Sequence, residues 1–400
     1  MSIIITSNHR TTGEVEFSKR HPDVFATNLS AVIVNSLAEK SYEAGLLDSF
    51  RSDLNVQIGA LETKNDLTKL SVSVAGQVII PDEINLQDIV VEQVECLLSD
   101  SGYSSFGFSN GLVDIEKITS QAPSINKITN SNKFADSCIV TGHYIKEPFG
   151  INGTFPAITI GKSIDKTLEK IIMEREIPEL RPDGKIHVTT SYEEKDLVVK
   201  DIYLSVSHRK NPTKGFKDKI IKSIILRNNY SEILKQANWY VNAGGDFSSY
   251  FVQADSGVSK VKDEIIINGG IHPLGSDGVW GKCLYKVSST LIPYVFSLSR
   301  IVSDFLGAKY ASISGVARYG QKNATFQLEE IDPFFESERE HINKILKKVS
   351  KTRDDIRCVL NMPVNIESYR LFNDISGFHE INKPWKKSNS ELLQIFKKNY

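Results

Sequence analysis

The spacing of apolar residues keeps switching between helical and strand-like along this chain, and that switching limits the folds open to it. Leu29 to Leu47 is helically spaced, through Val32, Val34 and Leu37. Leu70 to Ile80 alternates through Val72, Val74 and Val78, as a strand does. Asp88 to Leu98 and Ile164 to Ile172 return to helical spacing, while Ile186 to Thr190 and Leu197 to Ser205 read as paired strands. Phe216 to Leu234 reads as a helix, and Trp239 to Asn242 and Ile265 to Ile267 as short strands. Lys286 to Leu306 is a long apolar helix that Pro293 should kink. Tyr310 to Ser314 and Ala324 to Leu328 read as strands, Glu338 to Val349 as a helix, and a loop with a short helix closes the chain. The result is a mixed α and β fold. Polar stretches at 109–133 and 242–257 are the candidate junctions.

A chain of 400 residues has room for two or three domains and for a core that needs no covalent staple. Lys and Arg total 48 and Asp and Glu total 49, a net charge of -1. That balance argues against a general nucleic-acid binder, which needs a basic excess, but leaves room for a local cationic pocket. Cys96, Cys138, Cys283 and Cys358 are too scattered for a disulfide framework or a zinc site. No apolar run reaches membrane-spanning length, and the start is too polar for a signal peptide, so a cytoplasmic protein is expected.

The common nucleotide motifs, GxxxxGK[ST] and GxGxxG after a strand, are absent, as is GxSxG. Five local clusters remain. Arg20-His21-Pro22-Asp23 precedes the first helix; it suits a helix cap, and equally a His donor with a hard oxygen ligand for Mg²⁺. Gln121-Ala-Pro-Ser124 and Ala135-Asp136-Ser137 are polar loop residues. Leu180-Arg-Pro-Asp-Gly-Lys185 reads as a turn between a helix and a strand, with Lys185 either solvated or a phosphate donor. Asn242 to Phe247 and Ala254 to Gly257 combine glycines with an aromatic able to stack on a base. Finally, Gly269, Gly270, Gly275, Gly278 and Gly281 lead to Lys282 and Lys286 at a helix start, where backbone N–H groups favour anions.

In this order and spacing, the clusters resemble S-adenosylmethionine synthetase (methionine adenosyltransferase), over nearly the whole chain. His21-Pro-Asp23 looks like its Gly-His-Pro-Asp-Lys, Gln121-Ala-Pro its Gln-Ser-Pro, and Ala135-Asp136 its Gly-Asp-Gln-Gly. Leu180 to Lys185 is similar to its Leu-Arg-Pro-Asp-Ala/Gly-Lys, and Asn242, Gly245 and Phe247 to its Asn-Pro-Thr-Gly-Arg-Phe. Asp255, Gly269-Gly270, Gly281-Lys282 with Lys286, and Pro384-Trp385 follow in register.

The resemblance implies an α+β fold of three similar subdomains in a pseudo-threefold arrangement, placed at 1–125, 126–250 and 251–400 with elements interleaved. It implies a homodimer or higher oligomer with sites at the subunit interface; the charge balance and the lack of a long apolar run lead to the expectation of no nucleic-acid or membrane partner. It implies ATP and methionine or a related thioether as substrates, with Mg²⁺ and K⁺ as cofactors. His21 would assist departure of triphosphate, with Asp23 on Mg²⁺ and Glu62 near K⁺. Lys185, Lys262, Lys282 and Lys286 would bind phosphates or orient methionine. Phe247 would stack on adenine, and Gln77, Gln121, Asp136 and Asp255 would line the methionine and ribose pocket.

Several family charges are missing. Val24 replaces a Lys, Gln77 the Glu for the methionine ammonium, Val261 an Arg on the polyphosphate, and Ser288 an Asp. An arginine acting on a transferring phosphoryl group is worth roughly 10³ to 10⁵ in rate, so triphosphate hydrolysis is the activity most exposed. Arg20, in place of a Gly, is a possible source of replacement charge. Two readings follow: a divergent adenosyltransferase, or an inactive homologue that binds nucleotide or a partner subunit.

Overall fold

Residues 180–208 form the longest strand pair, β6 (Leu180–Glu193) antiparallel to β7 (Asp196–His208). The structure is a computed structural model. It describes residues 10–400 apart from 18, 62–67, 121–126, 129–130, 194–195, 272–273, 276–277, 350–351, 376, 379–382 and 387–388. The side chains of 10, 117 and 386 are likewise left out.

Three sheets are present among the described residues, and each recruits a strand from another part of the chain. The first runs β1 (Arg10–Glu16), β6, β7 and β8 (Asn238–Val241). The second runs β4 (Ser109–Thr119), β3 (Lys69–Ile79), β2 (Arg51–Ala60) and β9 (Gly257–Val258). The third runs β11 (Thr325–Ile331), β10 (Tyr310–Ala317) and β5 (Cys138–Ile145).

A long helix packs on each sheet: Pro156–Met173 on the first, Pro22–Glu43 on the second, Val287–Leu306 on the third. Pro22–Glu43 starts where the sequence supplies both a cap and a fixed φ. His21 accepts the Asp23 amide, and Pro22 takes the first helical position. Val24, Phe25, Leu29, Ile33, Val34 and Leu37 are then fully enclosed. Each such side chain gains roughly 1.5 to 3 kcal/mol from burial. Val287–Leu306 lies so close to β5 that a Cβ on Gly142 would meet the Val295 and Phe296 backbone within 2.7 Å, and the Ser299 hydroxyl donates to the Gly142 carbonyl.

The α+β class stands, with local corrections. Residues 109–119, taken as part of a junction, pair in parallel with β3. Ile265 to Ile267 is helical, within Asp263–Asn268. Leu180 to Lys185 opens β6 instead of forming a turn, with a register shift absorbing Pro182 and Asp183. Helix 216–234 breaks after Arg227. The long helix expected over Lys286 to Leu306 is found as Val287–Leu306, with Pro293 inside it. In the C-terminal tail, Lys383 is buried and paired with Asp374 at 2.8 Å. These misses share a cause: strand pairing and burial are decided by partners distant in sequence.

Candidate functional site

Pairing of β1 with β6 places Glu16 opposite Lys185 and Glu14 opposite His187. Lys185 Nζ lies 3.0 Å from Glu14 and 3.1 Å from Glu16. Lys262, immediately before helix Asp263–Asn268, reaches the same Glu16 carboxylate at 3.0 Å. His21 Nε2 lies 3.4 Å from its other oxygen. Residues from three segments, two of them distant in sequence, thus converge on one buried carboxylate.

Burial drives the Glu16 pKa up, against the pull of Lys185 and Lys262. Burial also drives His21 down to about 4; Lys262 and Lys185 push the same way, and Asp23 and Asp255 oppose them. At neutral pH His21 is therefore an uncharged imidazole. Its Nδ1 accepts the Asp23 amide at 3.3 Å, which leaves the proton on Nε2, the side facing Glu16. Asp23 receives the Val258 amide on Oδ1 at 2.9 Å. Asp255 is exposed and accepts the Ser256 amide.

A second cluster forms on β2. Gly76 sits at φ 139°, and a Cβ there would lie 2.1 Å from the Asp53 carbonyl. That glycine lets β2 and β3 pair with Asp53 directly opposite Gln77. The far edge of β2 is continued by the glycine-rich segment: Leu54 donates to Gly281 and Cys283 to Ser52, so Lys282 bridges to Asp53 along the backbone. Lys260 reaches Asp53 Oδ1 at 2.7 Å and Lys286 reaches Oδ2 at 2.8 Å. Burial raises the Asp53 pKa, but Lys260, Lys286 and Lys282 outweigh it and hold the group at about 2. Beside this cluster lies a cavity of about 540 Å³, lined in part by Arg51, Asp53, Gln77, Asp136, Lys260 and Lys286.

The structure thus draws His21, Asp23, Lys185 and Lys262 together, and Gln77, Asp136, Lys282 and Lys286 around or beside Asp53. Phe247 appears in neither set of contacts; its amide donates to His208 Nε2 at 3.2 Å. Gln121 and Glu62 lie outside the described residues. Arg20 is buried, paired with Asp165 and stacked on Phe17, so its charge is committed to the interior. Val24 is a core residue, whereas Val261 is 59% exposed. Glu14, Glu16, Asp53 and Arg51 were missed from sequence. The one available signal was Glu14-Val-Glu16, whose alternation puts two carboxylates on one strand face.

The central-domain profile of S-adenosylmethionine synthetase matches residues 152–247. The S-adenosylmethionine synthase of Fusobacterium nucleatum is 27% identical over 341 residues, covering 80% of this chain and 84% of that protein. That of Nitratiruptor sp. is 26% identical over 320 residues, covering 77% and 74%. An unusual S-adenosylmethionine synthetase from Campylobacter jejuni superposes with a TM-score of 0.78 at 18% identity, covering 98% and 99%. Over most of its length the chain is similar to S-adenosylmethionine synthetases, at a distance that marks it as divergent from them. Its fold is that of the Campylobacter jejuni synthetase.

Within that family frame, the residue types suit a polyanion better than a resident metal. Among the described residues no three His, Cys, Asp or Glu side chains gather as metal ligands. Mg²⁺, however, is commonly held by one or two carboxylates with substrate phosphates completing its shell. Asp23 fits that role, since the Val258 amide occupies only Oδ1.

Proposed function

We propose that the chain is an adenosyltransferase, joining ATP to methionine or a related thioether. One observation carries this reading: His21, Lys185 and Lys262 converge on Glu16, as a site for a departing polyphosphate requires. The sulfur lone pair attacks the ribose C5′, the C5′–O bond breaks, and triphosphate leaves with the bonding pair. Lys185 and Lys262 stand where cations offset the charge developing on that oxygen. His21, uncharged, offers an Nε2–H as a fixed donor at no cost of deprotonation. Mg²⁺ held in part by Asp23 would supply further charge neutralisation. K⁺ is expected as a second cofactor from the family resemblance, through Glu62. Asp255 belongs to the same half of the site, and Phe247 is assigned to the adenine.

Lys282 and Lys286, with Gln77, Gln121 and Asp136, form the amino-acid side of the proposal. The division at 1–125, 126–250 and 251–400 and assembly as a homodimer or higher oligomer belong to the same reading. Purified protein given ATP, methionine, Mg²⁺ and K⁺ should form S-adenosylmethionine. Absence of any adenosyl product, with methionine or other thioethers, rejects the reading.

A second reading, an inactive homologue that binds nucleotide or a partner subunit, is favoured by one feature. Lys185, Lys262, Lys260 and Lys286 already have carboxylate partners within the chain. Co-purification with an authentic synthetase, with ATP bound and unconsumed, is the outcome that supports it.

A further inference from the structure

The cavity beside β2 carries a charge pattern that selects its ligand. Its lining includes three cations, Arg51, Lys260 and Lys286, and two carboxylates, Asp53 and Asp136. The two carboxylates are not equivalent. Asp53 has a lysine on each oxygen, at 2.7 and 2.8 Å, and is spent as a partner for any incoming cation. Asp136 is exposed, and its Oδ1 accepts the Ser137 amide at 2.7 Å; water screens what remains of its pull. Gln77, directly across from Asp53 on β3, is uncharged.

The cations are better supported. Arg51 is buried, its guanidinium carbon 3.8 Å from the Tyr285 ring centroid, with Nη1 donating to the Asp48 and Phe50 carbonyls. Arg353 and Arg357 approach the same ring at 5.3 and 5.1 Å. Three guanidinium groups thus surround one tyrosine that walls the cavity, and cation–π contacts of this kind tolerate positive charge in a poorly solvated place. Cys283 and Val287 add a soft apolar surface to the same lining.

We propose that this cavity binds a thioether carboxylate lacking a free α-amino group in preference to the zwitterionic amino acid. The carboxylate is the part recognised, by Lys286 and Arg51. The one largely buried anion in the lining that an α-ammonium meets is Asp53, already engaged by a lysine on each oxygen, so the ammonium's desolvation goes uncompensated. The inference rests on the adenosyltransferase reading for the thioether, and on the cavity itself for the charge preference.

The test uses the full-length protein and calorimetric titration with methionine, 4-(methylthio)butanoate and 3-(methylthio)propylamine. The butanoate should bind at least about tenfold more tightly than methionine, and the amine should bind weakest. Gln77→Glu should reverse the order of the first two by supplying a carboxylate. Equal or tighter binding of methionine by the unaltered protein, or no binding of the butanoate at millimolar concentration, overturns the proposal. An unreversed order in Gln77→Glu overturns the part assigned to Gln77. Adenosyl-product assays with the same compounds read the other question separately. Tight butanoate binding without product rejects the adenosyltransferase and leaves the charge preference standing. Product with methionine bound more tightly does the opposite.

Discussion

Glu16 and Asp53 are built from the same parts and behave in opposite ways. Each is a strand carboxylate met by two lysines. The Glu16 side chain is fully enclosed, with lysines at 3.0 and 3.1 Å, and its pKa is raised by burial. Asp53 keeps 21% of its side-chain surface, with lysines at 2.7 and 2.8 Å, and is held at about 2 despite burial. The difference teaches that counting ion pairs does not predict protonation. Loss of water penalises the charged form in both places, and the sum depends on how closely and how completely the cations surround the group. Asp53 is a structural anion that organises Lys260 and Lys286. Glu16 is a reluctant anion whose lysines remain available to a stronger one.

Breaking the Glu16 side should have the largest effect. His21→Ala removes the positioned donor, and product formation should fall by roughly 10² to 10³ with the fold retained, read by single-turnover assay and circular dichroism. With His21 titrating at about 4, the rate of the unaltered protein should show no downturn near the usual histidine range of about 6.5. A downturn there that His21→Ala abolishes contradicts the assignment.

Next, Asp53→Asn should cost roughly 2 kcal/mol in urea unfolding at neutral pH. The sign follows from the depressed pKa. The contribution is present above the unfolded value of 3.8 and is lost as pH falls through about 2. If the variant is as stable as the parent at pH 7, the contrast with Glu16 disappears.

Asp263 sharpens the comparison at a site where burial outweighs the pull of Lys260 and Lys282. Burial pushes it up to about 7 although the Val279 amide donates to it. Here the folded pKa exceeds the unfolded one, so its contribution is full below the unfolded value of 3.8 and declines as pH rises through about 7. The stability of Asp263→Asn relative to the parent should therefore increase between about pH 4 and 7. A pH-independent difference between the two proteins would sink the assignment.

The smallest effect is expected from Glu16→Gln. Replacing a carboxylate that burial already disfavours should change stability less than Asp53→Asn does, whereas product formation should still fall, because Lys185 and Lys262 lose the group that gathers them. A stability loss matching Asp53→Asn would show the two carboxylates to be equivalent after all.

Much of the molecule was legible before folding. The periodicity of Val72, Val74 and Val78 gave β3, and the helical spacing over Leu29 to Leu47 gave most of the first long helix, which ends at Glu43. The order of His21, Lys185, Lys262, Lys282 and Lys286 pointed to a family, because motif order survives where overall identity is about a quarter. Illegible were Glu16 and Asp53, since no local pattern says that a strand carboxylate will meet lysines more than a hundred residues away. Arg20 shows the converse: its neighbours suggested a site charge, and the fold spent it on Asp165.

The sequence by itself therefore determined most of the element types, the family resemblance and the supply of cations. Only the tertiary structure decided which cations share a carboxylate, which acids keep their protons and where the cavity opens. The physical reason is range. Periodicity and capping act over a few residues along the chain, whereas burial and Coulomb pairing depend on distances that exist only after β1 meets β6 and β2 meets the glycine-rich segment.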